Sequence, residues 1–181
     1  MRLFYALTFD DITKSQITRY RDVVADHAVK GRFTREANFH ITLSFIGNTN
    51  TKQFRELTNV LFELGNWPDS VRALHLGSFQ RKSNNLVWLG IEGEQKFLQL
   101  QKQLQKQLHA KLATAGYNPE KRKYTPHITL GRNIVMREKL NELMIEPIVL
   151  KISSIALMES KTVGDYPVYE VLEEIICSTK K

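Results

Sequence analysis

HITLSFIG at residues 40–47 and HITLGR at residues 127–132 write His-Ile-Thr-Leu twice, each time inside a stretch that reads as a β-strand. Side chains alternate faces along a strand, so residues two apart point the same way. His40, Thr42 and Ser44 therefore share one face, and Phe39, Ile41, Leu43 and Phe45 share the other. In the second copy His127 and Thr129 stand together, with Ile128 and Leu130 behind them. Each strand has an apolar back that anchors it and a polar front. A buried imidazole or hydroxyl without a partner is costly, so a polar front of this kind belongs in a wet cleft.

Outward from the two motifs, the chain reads as the same string of elements written twice. Residues 2–9 form a first strand. Asp11 caps a helix through about Val29, with Ile17, Tyr20, Val24 and Ala28 on its stripe and Gly31 as its stop. The first HITL strand covers 39–46. A helix capped by Thr51 follows, with Phe54, Leu57, Leu61 and Leu64 inward and Gly65 at its end. Strands at 70–79 and 86–92 flank the turn RKSNN. A helix from about Glu94 to Ala115 buries Phe97, Leu100, Leu104, Leu108 and Leu112. The second HITL strand comes next, then a short helix at 136–145 and strands at 148–158 and 167–176. The pattern predicts one α+β domain over 1–181, built of duplicated β-α-β-α-β units. The pseudo-repeat lobes fall at about 1–80 and 86–181, and the string of elements does not say which strands pair.

Bulk properties remove several classes. A chain of 181 residues with 42% hydrophobic content can bury a real core. No apolar run has the length of a membrane span, and the opening MRLFYALTFDD meets acids too soon for a signal peptide. The lone Cys177 has no internal disulfide partner, which fits a reducing cytoplasm and an inert thiol. The formal charge of +7 favours polyanionic partners. The basic residues also flank the motifs: Arg32 and Arg35 precede the first, and Lys121, Arg122 and Lys123 precede the second. His27, His75 and His109 carry no such context and read as structural.

Two opposed imidazoles suit in-line displacement at phosphorus. One ring serves as base on the nucleophile's side and the other as acid on the leaving group's side, since histidine titrates near neutrality. Thr42 and Thr129 supply hydroxyls for the non-bridging oxygens. The sequence holds no HExxH, CxxC pair, Walker loop, GxSxG or GxGxxG. The expectation is chemistry without a metal or cofactor.

The paired motifs, with HITLGR as the second, resemble the 2H phosphoesterase superfamily, and within it the bacterial RNA 2′,3′-cyclic phosphodiesterases, also called 2′-5′ RNA ligase-like proteins. The similarity runs nearly end to end, through RLFYALTF, GRFTREANFHITLSFIG, LVWLGIE, RKYTPHITLGR and the tail MES…G…VY. It implies a bilobal α+β fold, with antiparallel sheets facing a central cleft and helices outside, and an enzyme that opens a 2′,3′-cyclic phosphate at an RNA 3′ end, or in a cyclic nucleotide, to a 2′-phosphate; a cytoplasmic monomer is expected. It implies His40 as general acid and His127 as general base, although pseudo-symmetry lets either ring take either role. Thr42 and Thr129 would bind the phosphate. Arg132 matches a family arginine at the phosphate; strict alternation points it to the apolar face, and a bulge at Gly131 would re-aim it. Arg122 and Lys123 are candidate RNA-backbone contacts. Phe9 and Phe45 are candidates to stack a base, with burial in the core expected for both. Two alternatives stand beside this reading: another cyclic phosphodiesterase or 2′-5′ ligation at the same site, and a non-catalytic RNA-binding module.

Overall fold

Nine strands and three α-helices follow one another among the described residues of the computed structural model, which covers 1–65, 67–80, 85–92, 95–112 and 124–177. In chain order they are β1 (Arg2–Thr8), α1 (Asp11–Asp26), β2 (Ala28–Phe33), β3 (Ile41–Asn48), α2 (Thr51–Glu63), β4 (Ser70–Phe79) and β5 (Leu86–Ile91). Then come α3 (Gln95–Leu112), β6 (His127–Met136), β7 (Ile148–Lys151), β8 (Ser154–Val163) and β9 (Tyr166–Ile176). Arg122 and Lys123 lie outside the described residues, as does most of the RKSNN turn.

The strands pair in the order β7-β4-β5-β6-β3-β1-β8-β9, with β2 on β6. Every pairing is antiparallel, giving the expected α+β class. The two HITL strands meet at the centre through a single bridge, Ile41 to Ile128. A half containing β3, β1, β8 and β9 thus faces a half containing β6, β5, β4 and β7 across a narrow seam. The halves exchange strands: β4, from within 1–80, lies beside β5, while β8 and β9, from within 86–181, complete the His40 half.

The helix stripes bury as their spacing predicts. Leu57, Leu61, Phe97, Leu100, Leu104 and Leu108 are at most 1% exposed and pack with Ile41, Leu43, Ile128 and Leu130 from the backs of the HITL strands. Each such side chain stabilises the fold by roughly 1.5–3 kcal/mol, so the strands that carry the polar fronts are held by their apolar backs. A smaller cluster of Phe4, Ala6, Ala156 and Met158 lies on the other face, beneath the cleft.

Five expectations are corrected. The first helix ends at Asp26, and the segment AVKGRF that follows is β2, paired along β6. Val24 and Ala28 keep a helical spacing, but edge pairing wins over that weak continuation. Asp10, whose Oδ1 accepts from the Thr13 N–H at 2.8 Å, caps α1 in place of Asp11. Asn50 caps α2 in place of Thr51, through a reciprocal box with Gln53. Residues 136–145 hold no α-helix: β6 runs through Met136, and a single 3-10 turn spans Leu140–Glu142. The strand expected at 148–158 is two strands, and they go to opposite regions of the sheet, β7 to β4 and β8 to β1.

Candidate active site

The bridge between Ile41 and Ile128 fixes the site's register. Continuing the antiparallel count by one residue each way sets His40 against Thr129 and Thr42 against His127. Opposed residues of an antiparallel pair project from the same face. Two imidazoles and two hydroxyls, remote in the chain, therefore occupy alternate corners of one square. All four side chains are half-buried. Tyr124, just ahead of β6, locks the seam by donating its hydroxyl to the Thr42 carbonyl at 2.7 Å.

Each ring is held by the same device. His40 Nδ1 donates to the carbonyl of Asn38 at 2.7 Å, and His127 Nδ1 donates to the carbonyl of Thr125 at 2.7 Å. A carbonyl only accepts, so the proton of the neutral ring sits on Nδ1 and Nε2 keeps its lone pair. That lone pair is the working end of a general base, and its protonated form the working end of a general acid. The Thr42 hydroxyl donates to His40 Nε2 at 3.0 Å.

Aromatic side chains frame both rings. His40 lies between Phe4, at 5.1 Å between ring centroids, and Tyr169, edge-on at 4.9 Å. His127 has Phe79 edge-on at 5.2 Å and Trp88 at 5.9 Å. The Trp88 indole needs Gly77: a Cβ there would stand 2.2 Å from the ring. Nothing in the local pattern marks Phe4, Phe79, Trp88 and Tyr169, because they reach the site from four other strands. His75, read as structural, lies on the exposed side with its ring 5.5 Å from Trp88.

A bulge re-aims Arg132. Against β5, Trp88 pairs with Thr129 while the adjacent Val87 pairs with Gly131, so Leu130 is the extra residue. Leu130 and Gly131 are buried in succession and Arg132 is exposed. The alternation has shifted phase, and Arg132 now faces the way His127 and Thr129 face. β3 repeats the device: Tyr5 pairs with Ser44 and Ala6 with Thr42, which leaves Leu43 as the extra residue. The residue in Arg132's place is Phe45. It is 55% exposed and its ring lies 5.5 Å from that of Phe4. Burial was expected for both Phe9 and Phe45. Phe9, 3% exposed, belongs to the core, and the bulge carries Phe45 out of it.

Burial and charge act together on the rings. Desolvation pushes His40 down to about 4, against the Asn38 carbonyl bond, which favours the charged form; the charges of His127 and Arg132 push it further down. His127 is lowered chiefly by burial, with Arg132 adding to the effect against the Thr125 carbonyl bond. Both rings feel Arg132, which places its guanidinium charge within reach of the whole square. At neutral pH both imidazoles of the square are therefore neutral.

Asn38 ties the first ring to the far edge of the sheet. Its carbonyl holds His40, its side-chain Nδ2 donates to the Pro167 carbonyl at 2.8 Å, and its Oδ1 accepts from the Tyr169 N–H at 3.4 Å. Asn38→Ala removes two bonds at a buried position and should cost about 1–3 kcal/mol. It should also free the carbonyl to drift, so that His40 samples the Nε2–H tautomer. Imidazole ¹⁵N spectra check this; an unchanged tautomer ratio would show that the 3-10 turn at Glu36–Asn38 alone sets the carbonyl.

Among the described residues no three of His, Cys, Asp and Glu come together as a metal site, and no helix is long and apolar enough to cross a membrane. Cys177 accepts a bond from the Trp67 indole N–H at 2.8 Å, and its thiol pKa is raised by burial.

Comparison with known proteins gives this arrangement its kin. Residues 9–164 match the family model of the 2′-5′ RNA ligase superfamily. A Methanothermobacter thermautotrophicus protein named RNA 2′,3′-cyclic phosphodiesterase is 28% identical over 96% of this chain and 97% of its own. A protein of the same name from Aquifex aeolicus is 31% identical over 82% of this chain and 83% of its own. The crystal structure of E. coli LigT complexed with 3′-AMP superposes with a TM-score of 0.78 at 23% identity, covering 98% of both chains. Thermus thermophilus TT0787 follows at a TM-score of 0.75 and 21% identity, over 97% of both chains. The antiparallel fold, its two HITL strands joined at one bridge and the matching family model together make this chain a member of the 2′-5′ RNA ligase superfamily, within the 2H phosphoesterases.

Proposed function

We propose that this protein hydrolyses the 2′,3′-cyclic phosphate at an RNA 3′ end to a 2′-phosphate. The observation that carries the reading is the square of His40, Thr42, His127 and Thr129, with both Nδ1 atoms held on backbone carbonyls, so that both Nε2 lone pairs are left for side chains and substrate, that of His40 meeting the Thr42 hydroxyl. The names of the curated relatives support the substrate. His127 Nε2 takes a proton from the attacking water as its oxygen bonds to phosphorus. The bond from phosphorus to O3′ breaks on the opposite side, and His40 Nε2–H⁺ protonates the departing O3′. The phosphate stays on O2′. Thr42, Thr129 and Arg132 hold the non-bridging oxygens, and Arg132 balances their charge. Phe45 offers its exposed face to the terminal base. One chain supplies every group, so a monomer suffices.

Incubation with 2′,3′-cyclic nucleotides and with a cyclic-ended oligonucleotide tests this, with EDTA present. The expected products carry a 2′-phosphate; absence of turnover on both substrates would end the reading.

The depressed rings set the pH dependence. Turnover needs one ring neutral and one protonated. In the free protein both apparent values belong to the pair and lie below the ordinary 6.5 of histidine. The singly protonated pair is therefore most populated in acid. kcat/KM, which reports the free enzyme, should peak below about pH 6.5 and fall roughly tenfold per pH unit above the upper value. In the complex the phosphate anion favours an imidazolium, so the bell of kcat should lie at higher pH. A kcat/KM profile that rises steadily to pH 8 would contradict this electrostatic picture.

A further inference from the structure

β2 and β6 set two arginines directly against each other. Arg32 and Arg132 are register partners on the antiparallel ladder, so both leave the same face from roots roughly 5 Å apart. Like charges so placed destabilise a ladder unless something neutralises them. Among the described residues neither guanidinium meets a carboxylate. Arg32 Nη1 reaches only the backbone carbonyl of Asp165, at 3.5 Å. Arg35 continues the line, its guanidinium 4.2 Å from the centre of the Tyr166 ring. All three arginines are exposed. Nearby cations are arranged differently: Lys161 is paired with Glu159 and Glu170, and Arg21 with Asp22. Asp165 and Tyr166 belong to the hairpin that joins β8 to β9, and that hairpin walls one side of the arginine line.

A row of guanidinium groups without carboxylate partners, beginning beside a phosphate site and carried on the strand next to it, has the chemistry of a nucleic-acid backbone seat. We propose that Arg32 and Arg35 hold the phosphodiesters on the 5′ side of the terminal nucleotide, extending the grip of Arg132. The enzyme then acts on the ends of RNA chains in preference to mononucleotides. This rests on the reading given under Proposed function. A cyclic mononucleotide fills only the square and Arg132, whereas an oligonucleotide also engages Arg32 and Arg35.

The test compares kcat/KM for a 2′,3′-cyclic mononucleotide and for a cyclic-ended oligonucleotide across a KCl series. It uses the wild type, Arg32→Gln and Arg32→Gln/Arg35→Gln. Wild type should prefer the oligonucleotide. The double variant should lose about tenfold or more of that preference, mainly through KM. Its log–log salt slope should shrink by about 0.7 for each arginine removed. Equal losses on both substrates, or an unchanged preference and slope, would overturn the proposal. If wild type turns over neither substrate, the reading under Proposed function has failed. Binding of an oligonucleotide bearing a 2′-phosphate, measured in the same salt series, then decides the arginine line alone: a reduced slope in the variants sustains it, and an equal slope ends it.

Discussion

His40→Ala and His127→Ala each lose turnover of a 2′,3′-cyclic phosphate by about 10²–10⁴-fold or more, while the sheet stays folded. The rings are half-buried and their backbones lie at the one bridge joining the two halves. The apolar backs hold that bridge: Ile41 and Ile128 are 0% exposed, and alanine at the histidines leaves both in place. Circular dichroism and a melting curve should therefore stay close to the wild type. The double variant should lose little more than the worse single variant, because an acid and a base that serve one displacement act as a unit. Strictly additive losses would mean that the rings work in separate steps. Full activity without either ring would end the acid–base account.

Thr42→Val and Thr129→Val should each lower kcat by about 10²–10³-fold, with KM moving less. Valine keeps the branched shape on the strand and removes only the hydroxyl. The two variants should differ in one respect. The Thr42 hydroxyl donates to His40 Nε2 at 3.0 Å, whereas Thr129 makes no such bond to its own histidine. Thr42→Val thus removes a partner of the neutral His40 ring as well as a phosphate contact. Its kcat/KM profile should shift along the pH axis, and that of Thr129→Val should not. Steady-state kinetics of both variants from pH 5 to 8 checks this. Losses below threefold in both would remove the hydroxyls from the phosphate's surroundings.

The polar fronts of the HITL strands were legible because alternation needs nothing but the local sequence. His40 with Thr42, and His127 with Thr129, could be put on one face before any pairing was known. The helix stripes were legible for the same reason: Leu57 with Leu61, and Leu100, Leu104 and Leu108, repeat at helical spacing and all bury. What local pattern could not reach was set by partners distant in the chain. AVKGRF became a strand because β6 offers it an edge. The break at Ile152 and Ser153, between β7 and β8, sends two adjacent strands to different neighbours, and the run of apolar letters hides it. Arg132 and Phe45 both face the site because a bulge shifts each strand's phase, and only a partner strand defines a bulge. Asn38 looks like a loop residue until its bonds to Pro167 and Tyr169 are traced. Arg122, also expected at the site, lies outside the described residues.

All of this depends on two imidazole rings closing on one phosphorus atom. The most direct measurement is a crystal structure of the protein with a nucleoside 2′-phosphate bound. Phosphate oxygens should lie about 2.6–3.2 Å from Nε2 of both His40 and His127, with each Nδ1 still on its backbone carbonyl and Arg132 turned toward the anion. A phosphate that touches only one ring, or settles away from the seam between β3 and β6, would contradict it.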